Sequence, residues 1–114
     1  MVSIYSKRNI GEQFYKWLVD TYVHGNDFHF VRPRIICRDG FSMSVQGGSY
    51  SYSNPRDFGT VYNEMEIGFP SDEEILLSDY KEGDNLDVRS VFGYVPVEVI
   101  IQIIKKHGGF KKII

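Results

Sequence analysis

The stretch Arg34-Ile35-Ile36-Cys37-Arg38-Asp39-Gly40-Phe41-Ser42-Met43-Ser44-Val45-Gln46 constrains the fold more than any other part of the chain. Two apolar, β-prone runs flank an Asp-Gly pair, which tolerates the positive φ angles of a tight hairpin turn. With Asp39-Gly40 as a two-residue turn, Ile36 faces Met43 and Arg38 faces Phe41. Side chains alternate along a strand, so Phe41, Met43 and Val45 share one face and Ser42, Ser44 and Gln46 the other. Gly47-Gly48 interrupts the pattern as a bulge or bend. Tyr50 and Tyr52 alternate with Ser49, Ser51 and Ser53, so the strand is expected to resume before Asn54-Pro55 ends it.

Before the hairpin, Asn9-Ile10-Gly11-Glu12 has the form of a capping box, with Asn9 as cap and Glu12 reaching back. Ile10, Phe14, Trp17, Leu18 and Tyr22 then recur at helical spacing, and His24-Gly25 is a stop, predicting a first helix from Ile10 to Val23. Phe28 to Val31 reads as a short strand. After the hairpin, Val61 to Phe69 reads as a strand with Val61, Met65, Ile67 and Phe69 on one face and Tyr62, Glu64 and Glu66 on the other. Ser71-Asp72-Glu73-Glu74 reads as a second capping box opening a short helix or turn through Leu77. Val88 to Val95 reads as a further strand, and Pro96 suits the first position of a last helix. Val99, Ile100, Ile103 and Ile104 form the apolar stripe of that helix; Lys105, Lys106 and His107 complement its negative end, and Gly108 caps it. Helix, antiparallel strands, helix is an α+β order. It predicts an antiparallel sheet with the N-terminal and C-terminal helices packed on one face, in a single domain spanning 1–114.

Composition bounds the function classes. The net charge is −2, so no basic bias points to direct nucleic-acid binding. Residues 61–87 nonetheless carry nine acidic side chains against Lys81 alone, an ordinary solvated face or a surface for a basic partner. Cys37 is the single cysteine, which excludes an internal disulfide and any cysteine zinc motif and fits a reducing cytoplasm. Met1 to Arg8 lacks an apolar core, so no signal peptide is expected, and the apolar stretch near the C-terminus, broken by Glu98 and Gln102, is too short to cross a membrane.

No catalytic constellation stands out. His24, Asp27 and His29 are metal-ligand types, but their spacing matches no established site; a helix end and a loop histidine explain them. Cys37 sits in an apolar strand, where a free cysteine packs as a small hydrophobe rather than acting as a nucleophile. Glu64 and Glu66 project to one strand face and are the basis of a metal-dependent nuclease alternative, which would also need a lysine and a third acid. Gly47-Gly48-Ser49 lacks the lysine of a phosphate loop. Tyr50, Tyr52, Asn54 and Arg56 are different in kind. Tyrosine stacks on a base or packs on a partner, asparagine hydrogen-bonds, and arginine forks onto phosphate or carboxylate, so this loop suits recognition, or else a turn with tyrosines shielding the sheet.

The segments Ile36 to Gln46, Asn54-Pro55-Arg56, Glu66 to Ser71, Val91 to Ile100 and Lys106-His107-Gly108-Gly109 resemble a set of small bacteriophage and prophage proteins. The resemblance spans residues 34–109 and leaves out the first helix. It implies a phage origin and action in the cytoplasm of an infected bacterium, and it brings no catalytic residue and no cofactor. Together with the residue chemistry it sets the expectation of a non-enzymatic binding protein that inhibits a host factor, such as a defence protein. Tyr50, Tyr52, Asn54 and Arg56 are the expected contacts, and Glu64 and Glu66 the charged ones. The alternative is a sponge that sequesters a signalling nucleotide at a homo-oligomer interface; the nuclease comes third.

Overall fold

The computed structural model describes residues 9–23, 31–82 and 90–111. The His24-Gly25 stop, the Asp27 and His29 cluster, the start of a strand at Phe28 and the residues Val88 and Arg89 lie outside the described residues.

Helix α1 covers Ile10–Val23, as its periodicity predicts. Asn9 Oδ1 accepts the Glu12 N–H at 2.8 Å, and the Asn9 amide donates to the Glu12 carboxylate at 3.4 Å. A cap of this type stabilises a helix by about 1 kcal/mol. Phe14, Trp17 and Leu18 are buried, but Tyr22 is exposed and rests its ring against Phe58 at 4.9 Å.

The described strands are β1 (Ile35–Ile36), β2 (Ser42–Gln46), β3 (Glu64–Gly68), β4 (Lys81–Glu82) and β5 (Val91–Pro96). They form one antiparallel sheet in the order β1-β2-β3-β5-β4. A short 3-10 helix, Ile75–Tyr80, precedes β4, and α2 covers Val97–Lys106. Met43, Val45, Met65, Ile67, Phe92 and Val95 on one side of the sheet join Phe14, Trp17, Leu18, Ile100, Ile103 and Ile104 of the helices in one core. Among the described residues no helix packs on the other side of the sheet, where Ser42, Ser44, Gln46, Glu64 and Glu66 are half-buried.

Four local expectations are corrected. The hairpin register is shifted by one: Ile36 pairs with Ser42 and Ile35 with Met43. Cys37 N–H donates to the Phe41 carbonyl and Gly40 N–H to the Cys37 carbonyl, so Arg38, Asp39 and Gly40 make a three-residue loop in which Gly40 alone takes positive φ, at 97°. That geometry is a type I turn closed by a left-handed glycine. The strand expected from Val61 starts later, at Glu64, and the expected faces are exchanged before it: Tyr62 is buried and Val61 is 79% exposed. Phe69 also leaves the core face: its backbone turns to φ 51° and its ring is exposed. The helix cap after Pro70 is Glu74, whose carboxylate accepts the Leu76 N–H at 3.0 Å. Ser71 instead ties down the β2 end, with Ser71 N–H donating to the Ser42 carbonyl and Ser42 N–H to Ser71 Oγ. Finally, Tyr50 to Ser53 form turns rather than a resumed strand; only Asn54 bridges to Glu64.

The last helix ends as a Schellman motif. Gly109 N–H bonds the Ile104 carbonyl and Gly108 N–H the Lys105 carbonyl, with Gly108 at φ 91°. The chain then folds back along β1: Arg38 N–H bonds the Gly109 carbonyl, Lys111 N–H bonds the Ile36 carbonyl, and Cys37 bridges Phe110. The outer edge of β1 is therefore covered.

Candidate functional site

The loop from Gly47 to Asn63 is tied to the sheet through its backbone. Asn54 N–H donates to the Glu64 carbonyl, and Asn63 and Glu64 N–H both donate to the Asn54 carbonyl. The Tyr52 N–H donates to Glu66 Oε2 at 2.9 Å, and the Tyr94 N–H donates to the Tyr52 carbonyl at 2.9 Å. Ser53 Oγ accepts from Gly48 N–H and donates to the Pro55 carbonyl, which closes the loop on itself. The Asn54-Pro55 peptide is cis.

This backbone anchoring leaves side chains outward. Tyr50 is 85% exposed; Tyr52 is 42% exposed and its ring lies 5.9 Å from that of Tyr94, itself 39% exposed. Arg56 is exposed, with Nε donating to the Ser51 carbonyl. The expected contacts thus separate into two kinds. Tyr52, Glu64 and Glu66 stand together on the open side of the sheet, Glu66 through its bond to Tyr52. Tyr50, Asn54 and Arg56 lie at the rim of the loop, and Asn54 acts through its backbone.

Tyr94 is the residue that strand periodicity misses. Between β3 and β5 the register slips: Met65 pairs with Val95 but Ile67 with Phe92, so Gly93 and Tyr94 together oppose Glu66. The extra residue is a bulge, and Tyr94 takes φ 53° in it. A non-glycine residue in the left-handed region costs about 1–2 kcal/mol. Gly93 beside it is closely approached: a Cβ there would meet Glu82 Oε1, which would have to swing away, and stand 3.0 Å from the Tyr52 Cβ. Tyr52, Tyr94, Glu66 and Glu82 therefore converge around Gly93.

A second polar cluster lies at the end of α2. His107 stacks on Phe41 with ring centroids 4.1 Å apart. Its Nδ1 is 2.6 Å from Asp39 Oδ2 and its Nε2 2.6 Å from Glu74 Oε1, while Lys106 Nζ bonds Glu74 Oε2 at 2.7 Å. The Glu74 side chain is fully buried. Burial alone would push the Glu74 carboxyl up, but the Leu76 N–H, Lys106 and His107 outweigh it and hold it below the usual carboxylate range. For His107, burial disfavours the charged ring, yet the bonds to Glu74 and Asp39 and their charges raise its pKa above 6.5. Asp39 is held low by the Phe41 N–H and by His107. With a carboxylate on each ring nitrogen, the imidazolium donates twice and has no free nitrogen for base catalysis. The cluster joins the hairpin turn, the 3-10 helix and α2, and it acts as a structural clamp.

Arg32 is buried as well, 2% exposed, and among the described residues no carboxylate pairs with it. Its Nε donates to Thr21 Oγ1 and its Nη2 to the Leu18 and Gly59 carbonyls; the guanidinium lies over Trp17, Phe58 and Tyr62. Nη1 has no hydrogen-bond partner among the described residues. Desolvation lowers its pKa, offset in part by Tyr62. The residue fastens the loop at Gly59 to α1. Cys37 is fully buried, and burial, then the Asp39 charge, pushes its thiol up to about 11, far from a reactive thiolate.

Among the described residues no group of three or more His, Cys, Asp or Glu side chains is disposed to hold a metal ion, and no helix is long and apolar enough to cross a membrane. No family model, curated protein or solved structure matches the chain.

Proposed function

We propose that this chain is a non-enzymatic binding protein of phage origin that inhibits a host factor, a defence protein foremost, by covering one of its surfaces in the cytoplasm of the infected cell. The observation that carries the reading is the Tyr52–Tyr94 pair. Two exposed rings are held on the open side of the sheet by backbone bonds to Glu66 and to each other's chain segment. Rigid, amphipathic tyrosines lose little entropy on binding and are frequent anchors of protein interfaces. Tyr50 and Arg56 extend the surface at its rim, and Glu64, Glu66 and Glu82 give it negative charge. A partner surface with basic character complements it.

The nucleotide alternative has less support, since the carboxylates of Glu66 and Glu82 beside the rings repel a phosphate. The test is capture of partners from bacterial host lysate by the immobilised full chain, in parallel with the Tyr52→Ala, Arg56→Ala double variant. A host protein held by the parent and lost by the variant supports the reading. Equal recovery by both removes this surface, and a nucleotide released on denaturing the purified protein favours the sponge.

A further inference from the structure

We propose that the exposed faces of the Tyr52–Tyr94 pair, with Glu82 beside them, form a notch that receives an arginine side chain of the partner protein. The inference rests on the protein-binding reading and adds the chemistry that the surface recognises.

The two rings are tilted by 44° at a centroid distance of 5.9 Å, and both stay partly open to solvent. Ring faces attract a cation placed within about 6 Å of the centroid. Glu82 Oε1 occupies the space that a side chain at position 93 would fill, next to Tyr52. Glu82 is exposed, and no hydrogen bond or ion pair engages its carboxylate among the described residues. Glu66 accepts the Tyr52 N–H through Oε2, which fixes a second carboxylate at the same place. Arg56 does not neutralise the notch through its Nε, which is bonded to the Ser51 carbonyl. Partly exposed ring faces with carboxylates beside them are complementary to a planar cation. Arginine fits better than lysine, because a guanidinium stacks on a ring while its edge forks onto a carboxylate. The same carboxylates that discourage a phosphate thereby select the partner's charge.

Peptides selected from a displayed random library against the immobilised full chain test the proposal. The expected outcome is a family of binders that need Tyr52 and Tyr94 and share an arginine. Replacing that arginine by citrulline, its neutral near-isostere, is expected to weaken binding at least about tenfold. Glu82→Gln is expected to weaken the arginine peptide and leave the citrulline peptide unchanged, a coupling that mere loss of fold would not produce. Binders that need the tyrosines yet tolerate citrulline overturn the arginine slot and leave the protein-binding reading standing. Selections that give no tyrosine-dependent binder overturn both, as does a nucleoside monophosphate that displaces the selected peptides from the notch.

Discussion

The His107 clamp and the Tyr52–Tyr94 notch are built from the same materials, carboxylates beside aromatic rings, and use them in opposite ways. In the clamp, both oxygens of Glu74 and both ring nitrogens of His107 have partners within 2.7 Å, and the ring stacks on Phe41. In the notch the backbone is bonded, but the rings stay open and Glu82 is exposed. Tyr94 moreover stands in a left-handed conformation that opposes folding. A satisfied cluster holds elements together and has little left to offer a ligand. An anchored but unsatisfied one contributes little to folding and keeps its contact surface for a partner. On the proposed reading the first region serves stability and the second recognition, and each role can be broken separately.

The largest expected effect is in the clamp. Glu74→Ala removes the acceptor of Lys106, His107 and the Leu76 N–H together. Breaking a buried, charge-assisted set of this kind costs on the order of 3 kcal/mol, so thermal unfolding is expected to fall by roughly 10 °C for a domain of this size. Partner binding by the molecules that remain folded is expected to persist. An unchanged melting temperature would show that the cluster contributes nothing to the fold.

The mirror experiment is in the notch. Tyr52→Ala with Arg56→Ala removes one exposed ring and one rim cation without touching the core. Loss of an interface anchor amounts to about 2 kcal/mol or more, some thirtyfold in affinity, and the melting temperature is expected to stay nearly constant. A clear drop in melting temperature, with binding intact, would reverse the assignment of the two regions.

These two regions also differ in how far the chain alone discloses them. Helix α1 and the alternation of Met43, Val45, Met65 and Ile67 were legible because burial periodicity is a local signal. Tyr52 and Glu66 could be singled out by residue type, on one stretch of sequence. The clamp could not. His107 lies 68 residues from Asp39 and 33 from Glu74, and each residue has a sufficient local explanation as turn former, helix cap or helix-end charge. Tyr94 was hidden for another reason: strand alternation assumes one residue per step, and the bulge at Gly93-Tyr94 breaks that count. The hairpin shows the same limit, since Asp-Gly announces a turn but a three-residue loop shifts every pair by one.

A smaller effect distinguishes the clamp by its pH dependence. The folded His107 pKa is raised above its ordinary 6.5, so its contribution is fully present below that value and is lost as pH rises through the folded pKa. Glu74 and Asp39 have lowered pKa values, so their contributions are present above the ordinary carboxylate range and are lost as pH falls through the folded values. Stability is therefore expected to be greatest between these limits and to decline on the alkaline side. Lys106 also faces Glu74, with Nζ 2.7 Å from Oε2. His107→Gln is expected to flatten the alkaline decline in melting temperature, whereas Tyr52→Ala is expected to leave the profile unaltered. A parallel profile for the parent and the His107 variant would remove the imidazolium from the clamp.

The smallest change in stability carries the sharpest distinction between the regions. Tyr94→Gly relieves the left-handed strain at φ 53°, a gain of about 1–2 kcal/mol that the greater freedom of an unfolded glycine reduces by about half. The ring it removes lies outside the hydrophobic core, so the packing lost with it is its contact with Tyr52. The net expectation is a melting temperature higher by a few degrees, roughly 0.5–1 kcal/mol. Binding is expected to weaken at the same time, because one wall of the notch is gone. Opposite signs for stability and binding in a single variant mark a residue kept in strain for recognition. If the variant melts lower, the Tyr94 ring stabilises the fold through its contact with Tyr52, and the notch is a structural pair like the clamp. If it melts higher and binds as before, the strained tyrosine is not an anchor, and the interface has to be sought at Tyr50 and the loop rim.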